Sequence, residues 1–264
     1  MKDIFSIKGK VALVTGGSRG IGEMIAAGFL ASGAKVYISS RKAGICDATA
    51  KRLAKEFEGE CISIPTDLAN INGIEFLANE VTKKESKLDI LINNAGASWG
   101  APIDEYPEMG WDKVMDTNVK GVFFLTQKLL PALRKAASTQ NPSRVVNIGS
   151  IDGIKTGGFD AFAYGPSKAA LHHLTRVLAA SLIKENIIVN AIAPGPFPTW
   201  MLSTGVGFGG ETNVDWGEVG EQNPSGRVGN MEDIAGLAIF LCSRASAYTV
   251  GQTITCDGGA VASS

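Results

Sequence analysis

The chain has 264 residues, of which 45% are hydrophobic and 19% are charged, as is typical of a folded protein with a sizeable buried core. Its formal net charge of -1 gives no reason to expect nucleic acid or an anionic membrane as a partner. The N-terminus lacks the apolar core of a signal peptide, and no later run approaches the length of a membrane span. We therefore expect a cytoplasmic protein.

Short apolar runs alternate with segments of helical period along the whole chain. The apolar runs predict strands at residues 10–15, 34–39, 61–65, 89–93, 144–148, 187–192 and 253–256. The helical segments are 21–30, 47–57, 71–84, 107–133, 161–184 and 231–241. This alternation implies a parallel sheet covered on both faces, with the doubly wound, Rossmann-like α/β architecture. No linker or repeat marks a second domain, so we expect one domain over residues 1–264.

A glycine-rich turn follows the first predicted strand. Gly16, Gly20 and Gly22 have the spacing G-x-x-x-G-x-G and stand between that strand and a predicted helix. Residues without side chains let backbone N–H groups approach a pyrophosphate, and the helix N-terminus adds its positive end. A glycine turn by itself can be purely structural. Its place between strand and helix predicts dinucleotide binding.

The end of the second predicted strand bears on which dinucleotide binds. NAD-binding folds use a carboxylate there for the ribose 2′-hydroxyl, whereas this strand ends in Ser39-Ser40-Arg41-Lys42. Arg41, together with Arg19 of the glycine turn, could clasp a 2′-phosphate, each charge-assisted hydrogen bond contributing ~1.5–3 kcal/mol. The alternative is that Arg41 is a solvated residue at a strand end. We predict NADPH/NADP+ as the cofactor and carbonyl reduction as the physiological direction.

Tyr164 and Lys168 are four residues apart in a predicted helix and therefore project from one face. A phenol titrates near pH ~10, and a neighbouring ammonium favours the phenolate and lowers the phenol pKa. A lowering of about 3 pKa units corresponds to ~4 kcal/mol, which a desolvated lysine together with a nearby cationic cofactor ring could supply. The pair predicts a tyrosine that exchanges a proton with an alcohol oxygen near neutral pH. The same spacing also occurs in helices by chance.

Five motifs follow one another in a familiar order: Thr15-Gly16-Gly-Ser-Arg-Gly20-Ile-Gly22, Asn93-Asn94-Ala95-Gly96, Ser150, Tyr164-x-x-x-Lys168 and Pro194-Gly195. From about Gly9 to Gly259 the chain resembles the short-chain dehydrogenase/reductase family. The resemblance implies that Tyr164 is the general acid and that Lys168 lowers its pKa and holds the nicotinamide ribose. It implies that Ser150 orients the substrate oxygen and that Asn118 positions a water linked to Lys168. It also implies a homotetramer.

The resemblance implies a set of cofactor contacts as well. Asp67 and Leu68 would flank the adenine, and Pro194 and Thr199 would contact the nicotinamide carboxamide; Asp67 could also be a turn or capping residue. The complete predicted cofactor site is Gly16, Ser18, Arg19, Gly20, Ile21, Gly22, Ser40, Arg41, Asp67, Leu68, Asn94, Ala95, Gly96, Tyr164, Lys168, Pro194, Gly195 and Thr199. Residues 151–163 separate the serine from the tyrosine, one residue more than is usual, and glycines in this loop could absorb the addition.

Within the family the chain looks most like β-ketoacyl reductases. The residues behind this likeness are Asn93-Asn-Ala-Gly-Ala-Ser-Trp99-Gly, Asn147-Ile-Gly-Ser-Ile151 and Ala163-Tyr-Gly-Pro-Ser-Lys-Ala-Ala-Leu-His172. The likeness implies NADPH-dependent reduction of a 3-ketoacyl thioester of coenzyme A or of acyl-carrier protein. A reductase of another ketone or of a sugar-like carbonyl remains an alternative, as does a nucleotide sensor without turnover.

The family keeps its substrate lid at about residues 200–226, which are glycine-rich here. The apolar lid residues Trp200, Met201, Phe208 and Trp216 could line an acyl pocket or only pack the lid down. An acidic acyl-carrier protein needs a basic patch, and the basic residues near the site are few. We therefore expect a weak basic footprint and keep a carrier-free thioester open.

Cysteine and histidine usage gives no metal site. The four cysteines lack any C-x-x-C pair, as expected of reduced thiols, and stand at Cys46, Cys61, Cys242 and Cys256. His172 and His173 are adjacent on a predicted helix and point in different directions. We interpret both histidines as structural.

Overall fold

The computed structural model describes residues 3–157, 160–203 and 214–263. Its strands form one sheet in the order β3-β2-β1-β4-β5-β6-β7, and neighbouring strands are parallel throughout. The strands are β1 (Val11–Thr15), β2 (Lys35–Ser39), β3 (Cys61–Ser63), β4 (Ile90–Asn93), β5 (Ser143–Ile148), β6 (Ile187–Pro194) and β7 (Thr253–Cys256). The predicted doubly wound α/β fold is confirmed.

Eight α-helices are described. They are α1 (Gly20–Ala31), α2 (Ala43–Glu56), α3 (Ile71–Lys84), α4 (Glu108–Met115), α5 (Gly121–Ala136), α6 (Tyr164–Leu182), α7 (Trp216–Glu221) and α8 (Met231–Cys242). Helix α1 packs on α8, and α3 packs on α5. None of the helices in the described ranges is long and apolar enough to cross a membrane.

Each central strand supplies side chains to two separate apolar layers, because successive side chains point to opposite faces. Val14 and Ile92 belong to the layer that contains residues of α1 and α8. Leu13 and Leu91 belong to the layer that contains residues of α3 and α5. The strands read as continuous buried runs because helices cover both faces of the sheet.

The helix predicted at residues 107–133 differs in one important respect. A π-helical turn, Asp116–Lys120, joins α4 to α5, so the segment is helical but wider in the middle. Gly121 follows this turn, and a Cβ there would lie 2.7 Å from the carbonyl oxygen of Leu68. Helical periodicity does not distinguish a π turn from an α turn. The turn matters because it contains Asn118.

The lid segment also differs from expectation. Helix α7 was not predicted, because glycines surround it and it spans fewer than two turns. Asp215 caps it by accepting from the backbone N–H groups of Gly217 and Glu218. Part of the predicted lid, including Phe208, lies outside the described residues. Helix α6 begins at Tyr164 rather than at residue 161, so the tyrosine is the first residue of its helix.

Candidate active site

A cavity of about 870 Å³ opens at the carboxyl ends of the strands, where ligands bind in open parallel sheets. The glycine turn lines one end of it, and Ser150, Tyr164 and Lys168 line the other. Every residue of the predicted cofactor site except Gly22 lines this cavity. Asn118 does not line it, although its neighbour Thr117 does.

The glycine turn is held by the loop after β4. Gly16 and Gly20 have φ angles of +64° and +57°, which residues with a Cβ rarely adopt. Asn94 donates to the carbonyl oxygens of Thr15 and Gly16 at 2.9 and 3.2 Å. A Cβ on Gly22 would collide with Asn94 Nδ2 and the Gly16 carbonyl. Gly22 therefore serves the packing of the turn and lies behind the surface that faces the cavity.

Two arginines flank the open side of this turn. Burial, and then the charge of Arg41, lowers the pKa of Arg19, so the two guanidinium groups influence each other. Neither has a carboxylate partner among the ion pairs of the described residues. Because both cations line the cavity and neither is paired with a described carboxylate, this wall favours binding of an anionic ligand. Asp67 lines the same wall and accepts from the Ala69 N–H, so it is also the turn residue of the alternative interpretation.

Ser150 ends β5 and begins a 3₁₀ turn, Ile151–Gly153. Its Oγ accepts from the backbone N–H of Asp152 at 3.2 Å. The hydroxyl proton therefore remains available to donate. Ser150 also acts on Tyr164 by lowering its pKa, and both side chains line the same end of the cavity.

The protein's own groups together do not lower the pKa of Tyr164, and the predicted lowering, which includes the charge of a bound cofactor ring, stays a prediction. Burial, and then the charge of Asp152, raises the pKa of Tyr164 to about 12. Burial lowers the pKa of Lys168 to about 8. Lys168 Nζ donates to the carbonyl oxygen of Ile148 at 2.9 Å and lies 5.5 Å from the centre of the tyrosine ring. Desolvation of the phenolate, reinforced by the charge of Asp152, therefore dominates the pKa of Tyr164.

Asn118 uses its side chain to join three elements. Its Oδ1 accepts from the Ala97 N–H at 2.8 Å, and its Nδ2 donates to the Ala97 carbonyl and to Ser167 Oγ, each at 2.9 Å. Both amide protons are therefore committed. A Cβ on Gly96 would lie 3.4 Å from Asn118 Oδ1 and 3.6 Å from Lys168 Nζ. Asn118 and Lys168 therefore lie close together, and the predicted role of Asn118 in positioning a water stays a prediction.

One site residue, Asp152, was missed from the sequence, and His172 is the structural residue that the sequence predicts. Asp152 lines the cavity, and its charge acts on both Tyr164 and Lys168. His172 lies one turn beyond Lys168, and a Cβ on Gly149 would collide with its Nε2. Burial lowers the pKa of His172 to about 4, so the ring is neutral at working pH and packs behind the serine. The only sequence signal for Asp152 was its position two residues after Ser150.

The lid residues divide between two places. Met201 lines the cavity, whereas Trp216 at the start of α7 is not among the lining residues. Trp200 also lines the cavity, 56% exposed, with its ring over the guanidinium group of Arg19. Of the residues predicted to line an acyl pocket, Trp200 and Met201 therefore line the cavity, and Trp216 does not.

The chain is similar to known proteins over nearly its whole length. A family model described as enoyl-(acyl carrier protein) reductase matches residues 16–261. The chain is 49% identical, over 98% of its length and 99% of the relative, to the rhamnolipids biosynthesis 3-oxoacyl-[acyl-carrier-protein] reductase of Pseudomonas aeruginosa. It is 34% identical to gluconate 5-dehydrogenase of Gluconobacter oxydans, over 97% and 96% of the two chains.

A solved structure agrees with the sequence comparison. The Pseudomonas aeruginosa RhlG/NADP active-site complex superposes with a TM-score of 0.90 at 49% identity, over 98% of this chain and 99% of that one. The order of motifs, the sheet and the matched length all agree. The chain belongs to the short-chain dehydrogenase/reductase family.

Proposed function

We propose that the protein is an NADPH-dependent reductase that converts a 3-ketoacyl thioester into the 3-hydroxyacyl thioester. The observation that carries the proposal is that one cavity holds two arginines beside a glycine turn and, at its other end, the group Ser150, Tyr164 and Lys168. The 49% identity to a 3-oxoacyl-[acyl-carrier-protein] reductase over nearly the whole chain supports this substrate class.

The residues of the cavity fit NADP(H). Gly16 and Gly20 keep the wall of the turn free of side chains, and the N-terminus of α1 points its free N–H groups toward that wall. Arg19 and Arg41 supply the positive charge that a ribose 2′-phosphate requires. When bound, the cofactor supplies the hydride. A related structure in complex with NADP supports this assignment.

Tyr164 is the proton donor in reduction. A pKa of about 12 keeps its phenol protonated at neutral pH, which is the form that an acid must have. Ser150 donates its free hydroxyl proton to the substrate carbonyl and thereby holds that oxygen near the phenol. Lys168, buried beside the tyrosine ring, stabilises the phenolate that is left when the proton has moved.

The thioester carrier is coenzyme A in this proposal, with acyl-carrier protein as the second option. Arg134, paired with Glu185, and Lys184 stand on the helix ends that lead into the amino ends of β5 and β6. This edge of the sheet lies opposite the cavity, so neither cation can meet a carrier protein that docks there. The weak basic footprint supports a free thioester over a protein-bound one.

A second substrate class has its own supporting observation. Asp152 places a carboxylate on the cavity wall near Tyr164, where it could accept hydrogen bonds from the hydroxyl groups of a sugar-like ketone. The identity to gluconate 5-dehydrogenase, 34%, agrees with such chemistry. A polyhydroxylated ketone is therefore the alternative substrate.

The proposal includes the oligomeric state and the cellular location of the protein. The protein is a single reductase domain over residues 1–264, works in the cytoplasm and forms a homotetramer. Met109 and Trp111 on α4 and Val177 on α6 are apolar and exposed, which suits helices that a second copy covers.

The test compares substrates side by side. NADPH consumption is followed with acetoacetyl-CoA, with the same acyl group on acyl-carrier protein, and with 5-keto-gluconate. Faster turnover of acetoacetyl-CoA than of the keto sugar supports the thioester assignment, and the ratio of the two thioesters identifies the carrier. Turnover of 5-keto-gluconate alone replaces it with the alternative. Binding of NADPH without turnover of any ketone, in a panel extended beyond these, would indicate a sensor.

A further inference from the structure

The segment after β6 rests directly on the glycine turn. The guanidinium carbon of Arg19 lies 4.4 Å from the centre of a Trp200 ring, a cation–π contact. Next to it, a Cβ on Gly20 would lie 3.1 Å from Thr199 Cγ2. Two consecutive residues, Thr199 and Trp200, therefore touch two consecutive residues of the turn. These contacts join the segment after β6 to the glycine turn.

The stack with Trp200 leaves the working edge of Arg19 free. A cation–π contact uses the charge of the guanidinium and none of its N–H donors, which are then available to a phosphate. Within the described part of the chain, the Arg19 guanidinium forms neither a hydrogen bond nor an ion pair. Trp200 thus contacts the arginine without using its N–H donors.

The charges around the stack favour an anion at this edge. Arg41 lines the same cavity wall and its charge lowers the Arg19 pKa, which is the sign of repulsion between two like charges. A doubly charged phosphate between the two would turn this repulsion into attraction. An arginine on a flexible stem would otherwise move away from its neighbour, and the indole opposes that movement.

We infer that Trp200 is a positioning residue for cofactor specificity: its ring holds Arg19 in the orientation that binds the 2′-phosphate of NADP(H). The inference rests on the proposed cofactor and concerns residues of this chain alone. Its consequence is selective, because Trp200 then contributes to binding of a nucleotide with a 2′-phosphate and contributes little to one without it.

The test measures binding and needs no substrate. Calorimetry gives dissociation constants for NADP+ and NAD+, and for adenosine 2′,5′-bisphosphate and AMP, which differ only by the 2′-phosphate. For Trp200→Leu we expect binding of the 2′-phosphorylated member of each pair to weaken about 3- to 10-fold, the range of one cation–π contact, and the other to change less than about 2-fold. Trp200→Phe retains a ring and should lose less.

Two controls make the result specific. Trp216→Leu removes an indole that does not line the cavity and should leave all four constants unchanged. In an Arg19→Ala background, Trp200→Leu should have no further effect on NADP+ binding, because the stack has already gone. Thermal unfolding of each variant verifies that it is folded.

Three results would overturn the inference. Equal weakening of both members of each pair would mean that Trp200 supports the cavity generally. Additive effects of Trp200→Leu and Arg19→Ala would mean that it acts without the arginine. A wild-type protein that binds NAD+ as tightly as NADP+ would overturn the cofactor assignment itself, a result distinct from the first two.

Discussion

Tyr164 is the proton donor of the proposed reaction, and its environment explains why it is suited to reduction. Burial and the nearby Asp152 carboxylate keep the phenol protonated, and the hydroxyl of Ser150 lies beside it. Replacing Tyr164 by Phe removes the proton and keeps the ring. We expect kcat for ketone reduction to fall about 10²- to 10⁴-fold, the typical contribution of general acid catalysis, while NADP+ affinity changes little. Steady-state kinetics and calorimetry measure the two effects; an unchanged kcat would contradict the role of Tyr164.

Asp152 is expected to set the pH range of the reaction. Its negative charge raises the Tyr164 pKa, so Asp152→Asn should lower that pKa. Reduction needs the protonated phenol, so its decline at high pH should begin at a lower pH in the variant. Oxidation of the alcohol needs the phenolate and should extend to lower pH.

The Asp152 prediction is measured from pH profiles of kcat/KM in both directions. Glu218→Gln is the matched control, since Glu218 lines the cavity and does not act on the Tyr164 pKa. If Asp152 acts through the tyrosine, the high-pH limb of reduction and the low-pH limb of oxidation both move to lower pH. Limbs that move in opposite directions, or that do not move, would contradict this role.

At the scale of elements, the packing of α6 against the end of β5 sets the position of Ser150. The His172 ring fills the space that a Cβ on Gly149 would need. Gly149→Ala should therefore lower the free energy of unfolding by about 1–3 kcal/mol, as overpacking does. Gly236→Ala is the control, because nothing lies within 4 Å of its Cβ position in α8 and alanine favours a helix by about 0.5–1 kcal/mol.

Denaturant unfolding distinguishes this packing from a general intolerance of Gly149. If the His172 ring is the obstacle, the Gly149→Ala substitution should cost much less in a His172→Ala background, where the ring is absent. An equal cost in both backgrounds would place the obstacle elsewhere.

Most elements follow from the sequence, and the exceptions have physical reasons. Helix α3 and strand β7 have the predicted bounds because apolar periodicity, and for α3 an Asn70 cap, define them locally. The π turn at Asn118 was not predictable, since it arises from contacts with Ala97 and Ser167 in distant parts of the chain. The pKa of Tyr164 could not be predicted either, because it depends on burial and on the charge of Asp152.

At the scale of the whole molecule, a ligand that binds only the folded state stabilises it by an amount set by its affinity, about 2.7 kcal/mol at 100 times the dissociation constant. NADP+ should therefore raise the unfolding temperature more than NAD+ at the same concentration. The double variant Arg19→Ala/Arg41→Ala should remove most of this difference by removing both cations. Thermal scans measure it, and a difference that survives in the double variant would mean that the 2′-phosphate binds elsewhere.

The central claim is that this cavity delivers a hydride to the 3-keto carbon of an acyl thioester. The most direct measurement uses NADPH deuterated at both C4 positions with acetoacetyl-CoA, followed by mass spectrometry of the product. We predict 3-hydroxybutyryl-CoA with one deuterium at C3 and none when Tyr164→Phe replaces the wild type on the same timescale. A protein that binds NADPH tightly and yields no labelled 3-hydroxyacyl product would contradict the claim.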